Sequence, residues 1–253
     1  MVANPIYSAY ERRLFRQLRD KPLPRHVGVM LDGNRRWAKM RGAETDEGYR
    51  AGADNIANLL TWCEEVGVEI VTLWLLSTDN LVGRDAEELG PLLKIIEDVV
   101  DELAATGRWR IHPVGALEEL PEATAARLRQ AAEATPEIDG LLVNIAVGYG
   151  GRREIADAVR ALIRDHATQG TSIEQLADFI DVEHISEYLY TKGQPDPDLV
   201  IRTSGEQRIS GFLMWQSAHT EFYFCEAYWP DFRRVDFLRA LRAYGERHRR
   251  FGG

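Results

Sequence analysis

The chain has 253 residues, a formal net charge of −9 and 45% hydrophobic residues, with a sequence pI near 5.3. That length fits one large α/β domain better than two small ones, the apolar fraction can fill its core, and the acidic balance excludes a general nucleic-acid binder, which needs a dominant basic field. Cys63 and Cys225 stand in apolar runs without metal-binding or Cys-x-x-Cys spacing, so they read as buried free thiols of a reducing, cytoplasmic compartment, and no structural zinc is expected. No apolar leader follows Met1 and no apolar run approaches ~18 residues, so neither secretion nor membrane spanning is expected.

Tyr7, Tyr10, Leu14, Phe15 and Leu18 recur at helical spacing with Arg12, Arg13, Arg16 and Arg19 between them, which predicts an N-terminal amphipathic helix within residues 1–21. It is expected to pack on the domain with its arginine face solvated; peripheral contact with an anionic membrane is the alternative. Pro22 and Pro24 end it, and the apolar run 26–31 predicts a first strand. This strand enters Asp32-Gly33-Asn34-Arg35-Arg36-Trp37. Gly33 permits a sharp reversal and Asn34 can bond its own backbone, so a helix starting there aims free N–H groups at the turn. An acid beside two guanidinium groups suits a diphosphate with a divalent cation: Asp32 for the metal, Arg35, Arg36 and backbone amides for the phosphate oxygens. A surface turn with solvated arginines is the alternative.

Ile56, Leu59, Leu60, Cys63 and Val66 predict a helix over 46–66, with Gly67 just past its end. The continuous apolar run 68–76 predicts a strand covered on both faces, ending in Ser77-Thr78-Asp79-Asn80. Asp85 and Glu88 form a capping-box pattern opening a helix to about residue 105. Strands at 109–114 and 141–147 flank a helix over 122–134. The second of these strands ends in Gly148-Tyr149-Gly150-Gly151-Arg152-Arg153 and precedes another helix, its glycines expected to let backbone approach a ligand. Two short helices within 172–190, strands at 199–201 and 222–225, and a helix over 237–249 complete the chain.

Strands alternating with helices predict a single α/β domain over residues 1–253: a mostly parallel six-stranded sheet with helices on both faces, ligands lying beyond the strands' carboxyl ends. The polar clusters at 32–37, 77–80, 148–153 and 202–210 all follow strands. Arg35, Arg36, Arg202 and Arg208, with Arg152 and Arg153 as further candidates, outnumber Asp32 and Glu221 there. An acidic protein that gathers arginines at one rim points to an anionic small substrate, and the carboxylates to Mg²⁺. No nucleophile–base pair, P-loop or dinucleotide fingerprint is present.

The stretches His26-Val27-Gly28-Val29-Met30-Leu31-Asp32-Gly33-Asn34-Arg35-Arg36-Trp37-Ala38, Ser77-Thr78-Asp79-Asn80, Gly148-Tyr149-Gly150-Gly151-Arg152, Asp198-Leu199-Val200-Ile201-Arg202-Thr203, Trp229-Pro230-Asp231-Phe232 and Arg249-Arg250-Phe251-Gly252-Gly253, taken in order, resemble the cis-prenyltransferase (undecaprenyl diphosphate synthase) family nearly end to end. The resemblance implies a homodimer that condenses isopentenyl diphosphate with an allylic diphosphate, forming a Z double bond with Mg²⁺ in a hydrophobic tunnel. It implies that Asp32 engages Mg²⁺ and helps the allylic diphosphate ionise, with Gly33, Asn34, Arg35, Arg36 and Trp37 around that diphosphate. Asn80 falls at the family's proton-abstraction position beside Ser77, Thr78 and Asp79; an amide is a poor base, so proton transfer is expected through diphosphate or water that Asn80 positions. Arg202, Arg208, Ile209 and Ser210 fall at the isopentenyl diphosphate site, Glu221 completes the metal site, and Arg250 and Gly252 reach toward the neighbouring subunit's site.

The departures shape the expected product. Arg35 replaces a frequent glycine, Thr45 and Tyr49 replace arginine and histidine, Leu81 replaces tryptophan, Gln207 replaces histidine, and Arg84 stands one residue later than the usual arginine. Tyr49 and Arg84 are assigned to the substrate site in their place. The tunnel wall is expected from Leu73, Leu75, Leu89, Leu92, Leu93, Ile96 and the fourth strand. Leu75 is bulkier than the alanine of many long-chain members, and packed interiors lack slack, so a short product, Z,E-farnesyl diphosphate from geranyl diphosphate, is expected, as in the short-chain actinobacterial branch. The alternatives are a long-chain polyprenyl diphosphate synthase and a catalytically silent diphosphate-binding subunit.

Overall fold

Within residues 5–136 and 138–251, which this computed structural model describes, the apolar run His26–Met30 forms strand β1, buried along its whole length. Burial on both faces demands paired edges and covering layers. β2 (Ile70–Ser77), β3 (Arg110–Val114), β4 (Leu142–Tyr149), β5 (Leu199–Arg202) and β6 (Glu221–Phe224) supply the edges. They form a six-stranded sheet of order β3-β4-β2-β1-β5-β6, parallel at every pairing. From β1 the chain moves outward to β2 and on to the edge strand β3, steps back to lay β4 between them, and then crosses to the other side of β1 for β5 and β6. This reversal opens a crevice above the carboxyl ends of β1 and β5.

The helices are α1 (Pro5–Leu18), α2 (Asn34–Arg41), α3 (Thr45–Glu65), α4 (Thr78–Gly83), α5 (Ala86–Ala105), α6 (Glu122–Ala134), α7 (Gly151–Thr168), α8 (Ile173–Phe179), α9 (Val182–Ser186) and α10 (Arg234–Phe251). Side chains alternate along β1: Val27 and Val29 enter the main core with α1, α3, α5, α6 and α10, whereas Met30 joins a smaller core with Tyr149, Val200, Phe212 and Leu213. Gly28 faces that smaller core, and a Cβ there would meet Phe212 and Val200 at 3.0 Å. In α1, Leu14 and Leu18 are buried, each contributing about 1.5–3 kcal/mol. Its aromatic rings Tyr7, Tyr10 and Phe15 lie under Arg233, Arg239 and Arg234, while Arg12, Arg13, Arg16 and Arg19 are exposed. The aromatic stripe is thus consumed by packing. No described helix is long and apolar enough to cross a membrane.

Several boundaries and roles differ from the sequence expectation. α4 follows β2 directly, with Ser77 Oγ accepting the Asn80 N–H at 3.0 Å, where only a polar cluster was expected. Asp85 stands at the start of α5 but makes no side-chain cap bond, and the Glu88 side chain, the other half of the expected box, turns toward Tyr49 and Arg84; charge-assisted bonds to partly buried donors outweigh a solvent-replaceable backbone cap. β4 runs to Tyr149, and the glycines beyond it serve packing. A Cβ on Gly150 would meet Thr78 Oγ1 at 2.6 Å, and one on Gly151 would meet the Gly211 carbonyl oxygen at 2.3 Å. Arg153 is spent on Glu118, Glu119 and Asp157. α10 starts at Arg234, three residues earlier than periodicity indicates.

Candidate active site at the carboxyl ends of β1 and β5

Leaving β1, the backbone turns at Gly33, whose φ of 107° is open to glycine; a Cβ there would meet the Tyr228 ring at 2.6 Å. The turn is clamped from β5's end: Thr203 Oγ1 accepts the Asp32 N–H at 2.9 Å and donates to the Asp32 carbonyl oxygen at 2.7 Å. Asn34 opens α2 with its Nδ2 donating to the Leu31 carbonyl at 3.1 Å, and the first turn of α2 lines the crevice through Asn34, Arg35 and Arg36, where the free N–H groups of a helix start suit an anion.

The register explains the charge pairing. Met30 stands opposite Arg202, so the turn after β1 meets a guanidinium on the next strand. Arg202 Nη2 donates to Asp32 Oδ2 at 2.8 Å, while its Nη1 reaches Ser210 Oγ at 3.0 Å and the Arg208 carbonyl. Arg36 Nη2 donates to Asp32 Oδ1 at 3.3 Å and Ser204 Oγ at 2.6 Å, and its Nη1 to Glu206 at 3.1 Å. Burial pushes the Asp32 carboxyl up, but Arg202, Ser204 and Arg36 together hold it below its ordinary value, so it is ionised at neutral pH. Ser204 and Ser210 take left-handed backbone, φ 78° and 48°, a strain that brings both hydroxyls to the arginines.

The rim opens into a cavity of about 720 Å³, within the usual range for small-molecule sites. Asp32, Gly33, Asn34, Arg35, Arg36, Tyr49, Ser77, Asp79, Asn80, Arg84, Arg202, Arg208 and Ser210 all line it. Its inner wall is apolar: Ala53 and Ile56 of α3, Leu75 and Leu76 of β2, and Leu92, Ile95, Ile96 and Val99 of α5. Leu73, Leu89, Leu93 and β4 are absent from this wall, and α3 takes their place, because the sheet carries α3 and α5 side by side over β1 and β2. A bulge in the β2–β4 register between Trp74 and Leu76 turns both Leu75 and Leu76 toward the main core.

Other expected residues fall elsewhere. Thr78 lies against Gly150, Trp37 stacks under Arg41, and Ile209 caps a turn through its carbonyl to the Phe212 N–H. None of the three lines the cavity. Glu221 begins β6 opposite Leu199, three register positions or about 10 Å below the level of Arg202, and pairs with Arg247 at 3.0 Å. The Arg250 side chain and Gly252 lie outside the described residues. The sequence reading missed Lys39, Trp229 and Glu206 on the cavity wall and Ser204 beside it; Ser204 and Glu206 belong to the 202–210 cluster and could have been taken with it.

Among the described residues no group of three or more His, Cys, Asp or Glu could hold a metal ion. Mg²⁺ needs no such cage, since it retains waters and takes one or two carboxylates plus substrate phosphates. Ionised Asp32, one-third exposed to the cavity, fits that donor set.

A family model described as "Putative undecaprenyl diphosphate synthase" matches residues 30–252. A (2Z,6E)-farnesyl diphosphate synthase of Thermobifida fusca is 62% identical over 249 residues, covering 98% of this chain and 97% of that protein. Isoprenyl transferase 1 of Streptomyces avermitilis is 60% identical over 243 residues, covering 96% and 94%. The crystal structure of lavandulyl diphosphate synthase from Lavandula x intermedia, in complex with dimethylallyl diphosphate, superposes with a TM-score of 0.80 at 34% identity, covering 88% of this chain and 95% of that one. The parallel sheet, the charged rim over an apolar cavity and these matches agree: the chain belongs to the undecaprenyl diphosphate synthase family, the cis-prenyltransferases.

Proposed function

We propose that this protein condenses isopentenyl diphosphate with an allylic diphosphate, preferentially geranyl diphosphate, to give the short product Z,E-farnesyl diphosphate. The observation that carries this reading is the junction of an arginine-lined rim with an apolar cavity walled at its β2 side by Leu75. The names of its close relatives, including the (2Z,6E)-farnesyl diphosphate synthase of Thermobifida fusca, support the short chain.

The allylic diphosphate is assigned to the N-terminus of α2, where Arg35, Arg36 and free N–H groups meet it, with its prenyl tail among Ile56, Leu92 and Ile96. Isopentenyl diphosphate is assigned to Arg202, Arg208 and Ser210. The allylic C–O bond breaks with its electron pair leaving on diphosphate, the isopentenyl double bond forms the new C–C bond, and loss of a proton leaves the Z double bond. Arg36 meets the charge that develops on the allylic diphosphate, in a site that its bonds to Ser204 and Asp32 preorganise. Asn80, exposed at the cavity mouth, orients the group that takes the proton. Asp32 would hold Mg²⁺, which supplies Lewis-acid neutralisation of the departing diphosphate.

The same reading carries a homodimer, in which Arg250 and Gly252 reach the neighbouring site, and a cytoplasmic location, which the buried free thiols Cys63 and Cys225 support. The test is chromatography of dephosphorylated products from purified protein with Mg²⁺ and dimethylallyl, geranyl and farnesyl primers in parallel. A C15 product from geranyl diphosphate is expected; products of C50 or longer would overturn the short-chain assignment, and no turnover of any primer would support a silent subunit.

A further inference from the structure

Glu88 lies in the first turn of α5, behind the cavity wall. Its Oε1 accepts the Tyr49 hydroxyl at 2.5 Å and the Arg84 guanidinium, and Arg35 Nη1 stands 3.7 Å from the same oxygen. One carboxylate oxygen therefore gathers donors from α2, α3 and the α4–α5 joint. Arg35, Tyr49 and Arg84 line the cavity, whereas Glu88 does not.

The Arg84 side chain is only 12% exposed, lies over the Tyr49 ring at 5.4 Å, and has an Nε without a partner. A buried guanidinium without a counter-charge would swing to solvent, so Glu88 is what keeps Arg84 inside. Burial raises the Glu88 carboxyl, but Tyr49, Arg84 and Arg35 outweigh it and keep the group ionised. Burial and the bond to Glu88 push the Tyr49 hydroxyl up to about 12, so it remains a donor. The cluster carries Arg35⁺, Arg84⁺ and Glu88⁻, a net positive wall suited to an anion.

We propose that Glu88 is a positioning residue for the allylic primer: by gathering Arg35, Tyr49 and Arg84 on one oxygen it presents two guanidinium groups to the allylic diphosphate and draws α2, α3 and α5 together at the cavity mouth. This rests on the function proposed above, of which it names a selectivity device. The isopentenyl diphosphate contacts, Arg202, Arg208 and Ser210, share no hydrogen bond with this cluster, so the two substrates respond differently to its loss.

The experiment is calorimetric titration of wild type, Glu88→Ala, Glu88→Gln, Arg84→Ala and the Glu88→Ala/Arg84→Ala pair with geranyl diphosphate and, separately, isopentenyl diphosphate, with steady-state kinetics on the same proteins. Glu88→Ala is expected to weaken geranyl diphosphate binding and raise its KM by about tenfold, leaving the isopentenyl diphosphate Kd unchanged. Glu88→Gln, which keeps an acceptor oxygen for Tyr49, recovers part of the loss. In the Arg84→Ala background, Glu88→Ala costs less than it does in wild type, because the share exerted through Arg84 is already gone and only that through Arg35 and Tyr49 remains. Equal weakening of both substrates, unchanged geranyl diphosphate binding in Glu88→Ala, or fully multiplicative losses in the double variant would overturn the proposal. Wild-type protein that fails to bind geranyl diphosphate would instead overturn the proposed function and take this inference with it.

Discussion

β1 carries a buried polar residue at one end and a partly buried one just past the other, and the two are handled in opposite ways. At its start, His26 is 1% exposed. Its Nδ1 lies 2.8 Å from the Pro195 carbonyl and its Nε2 2.8 Å from Thr72 Oγ1. A carbonyl only accepts, so Nδ1 carries the proton and Nε2 accepts from Thr72. Thr72 in turn accepts from Asn144 at 2.9 Å, and Asn144 exchanges two bonds with Gln194. Every member of this chain is neutral and satisfied from within. Past the strand's end, Asp32 is ionised amid arginines, while Arg202 Nε and Asn34 Oδ1 have no partner. A closed neutral network stabilises the sheet; a charged network with a donor and an acceptor to spare is built for something outside the chain.

The largest test of this contrast is Asp32→Ala. It is expected to lower turnover by at least about 10³-fold with an unchanged circular dichroism spectrum, since Arg202 keeps Ser210 and the Arg208 carbonyl. Retained activity would erase the functional reading of this end. A smaller effect, on the cavity the charged end opens into, is Leu75→Ala. Removing the side chain should lengthen the principal product by at least one isoprene unit, read by chromatography, at a stability cost below about 2 kcal/mol; an unchanged product moves the stop to another wall residue.

The smallest effect belongs to the neutral end. Burial lowers the His26 pKa, against the weaker opposite pull of Pro195 and Asp198. As pH falls through the ordinary histidine range the unfolded chain binds a proton that the folded chain refuses, so stability decreases in that window. Relative to His26→Gln, wild type should lose about 1.4 kcal/mol between pH 7.5 and 5.5, measured by urea unfolding of both proteins at each pH. A constant difference would mean that His26 is not held neutral.

The strand–helix alternation was legible because it is local: β1, β2 and β4 are continuous apolar runs, and α3 and α5 repeat their leucines and isoleucines at helical spacing. The rim was legible for a related reason. Asp32, Ser77 and Arg202 stand where strands end, and in a parallel sheet all such ends share one edge, so naming the strands already places these residues near one another. The misassignments have another origin. Glu88 fits a capping box when only α5 is considered, yet Tyr49 arrives from α3, 39 residues away, and offers a better partner. Gly150 and Gly151 resemble a ligand turn until Thr78 and Gly211 are packed on them.

The sequence by itself thus determined the fold class, the charged turn at Asp32 and the gathering of Arg36 and Arg202 at the same rim, because residue type, short-range spacing and the ends of parallel strands suffice for each. Tertiary structure alone decided that the β2 bulge aims Leu75 and Leu76 together, that α3 rather than β4 walls the cavity, that Glu88 gathers three donors, and that Glu221 begins an edge strand away from Asp32. Each of these depends on which elements lie opposite one another, and that is settled by sheet order and packing over long sequence separations, where local pattern carries no information.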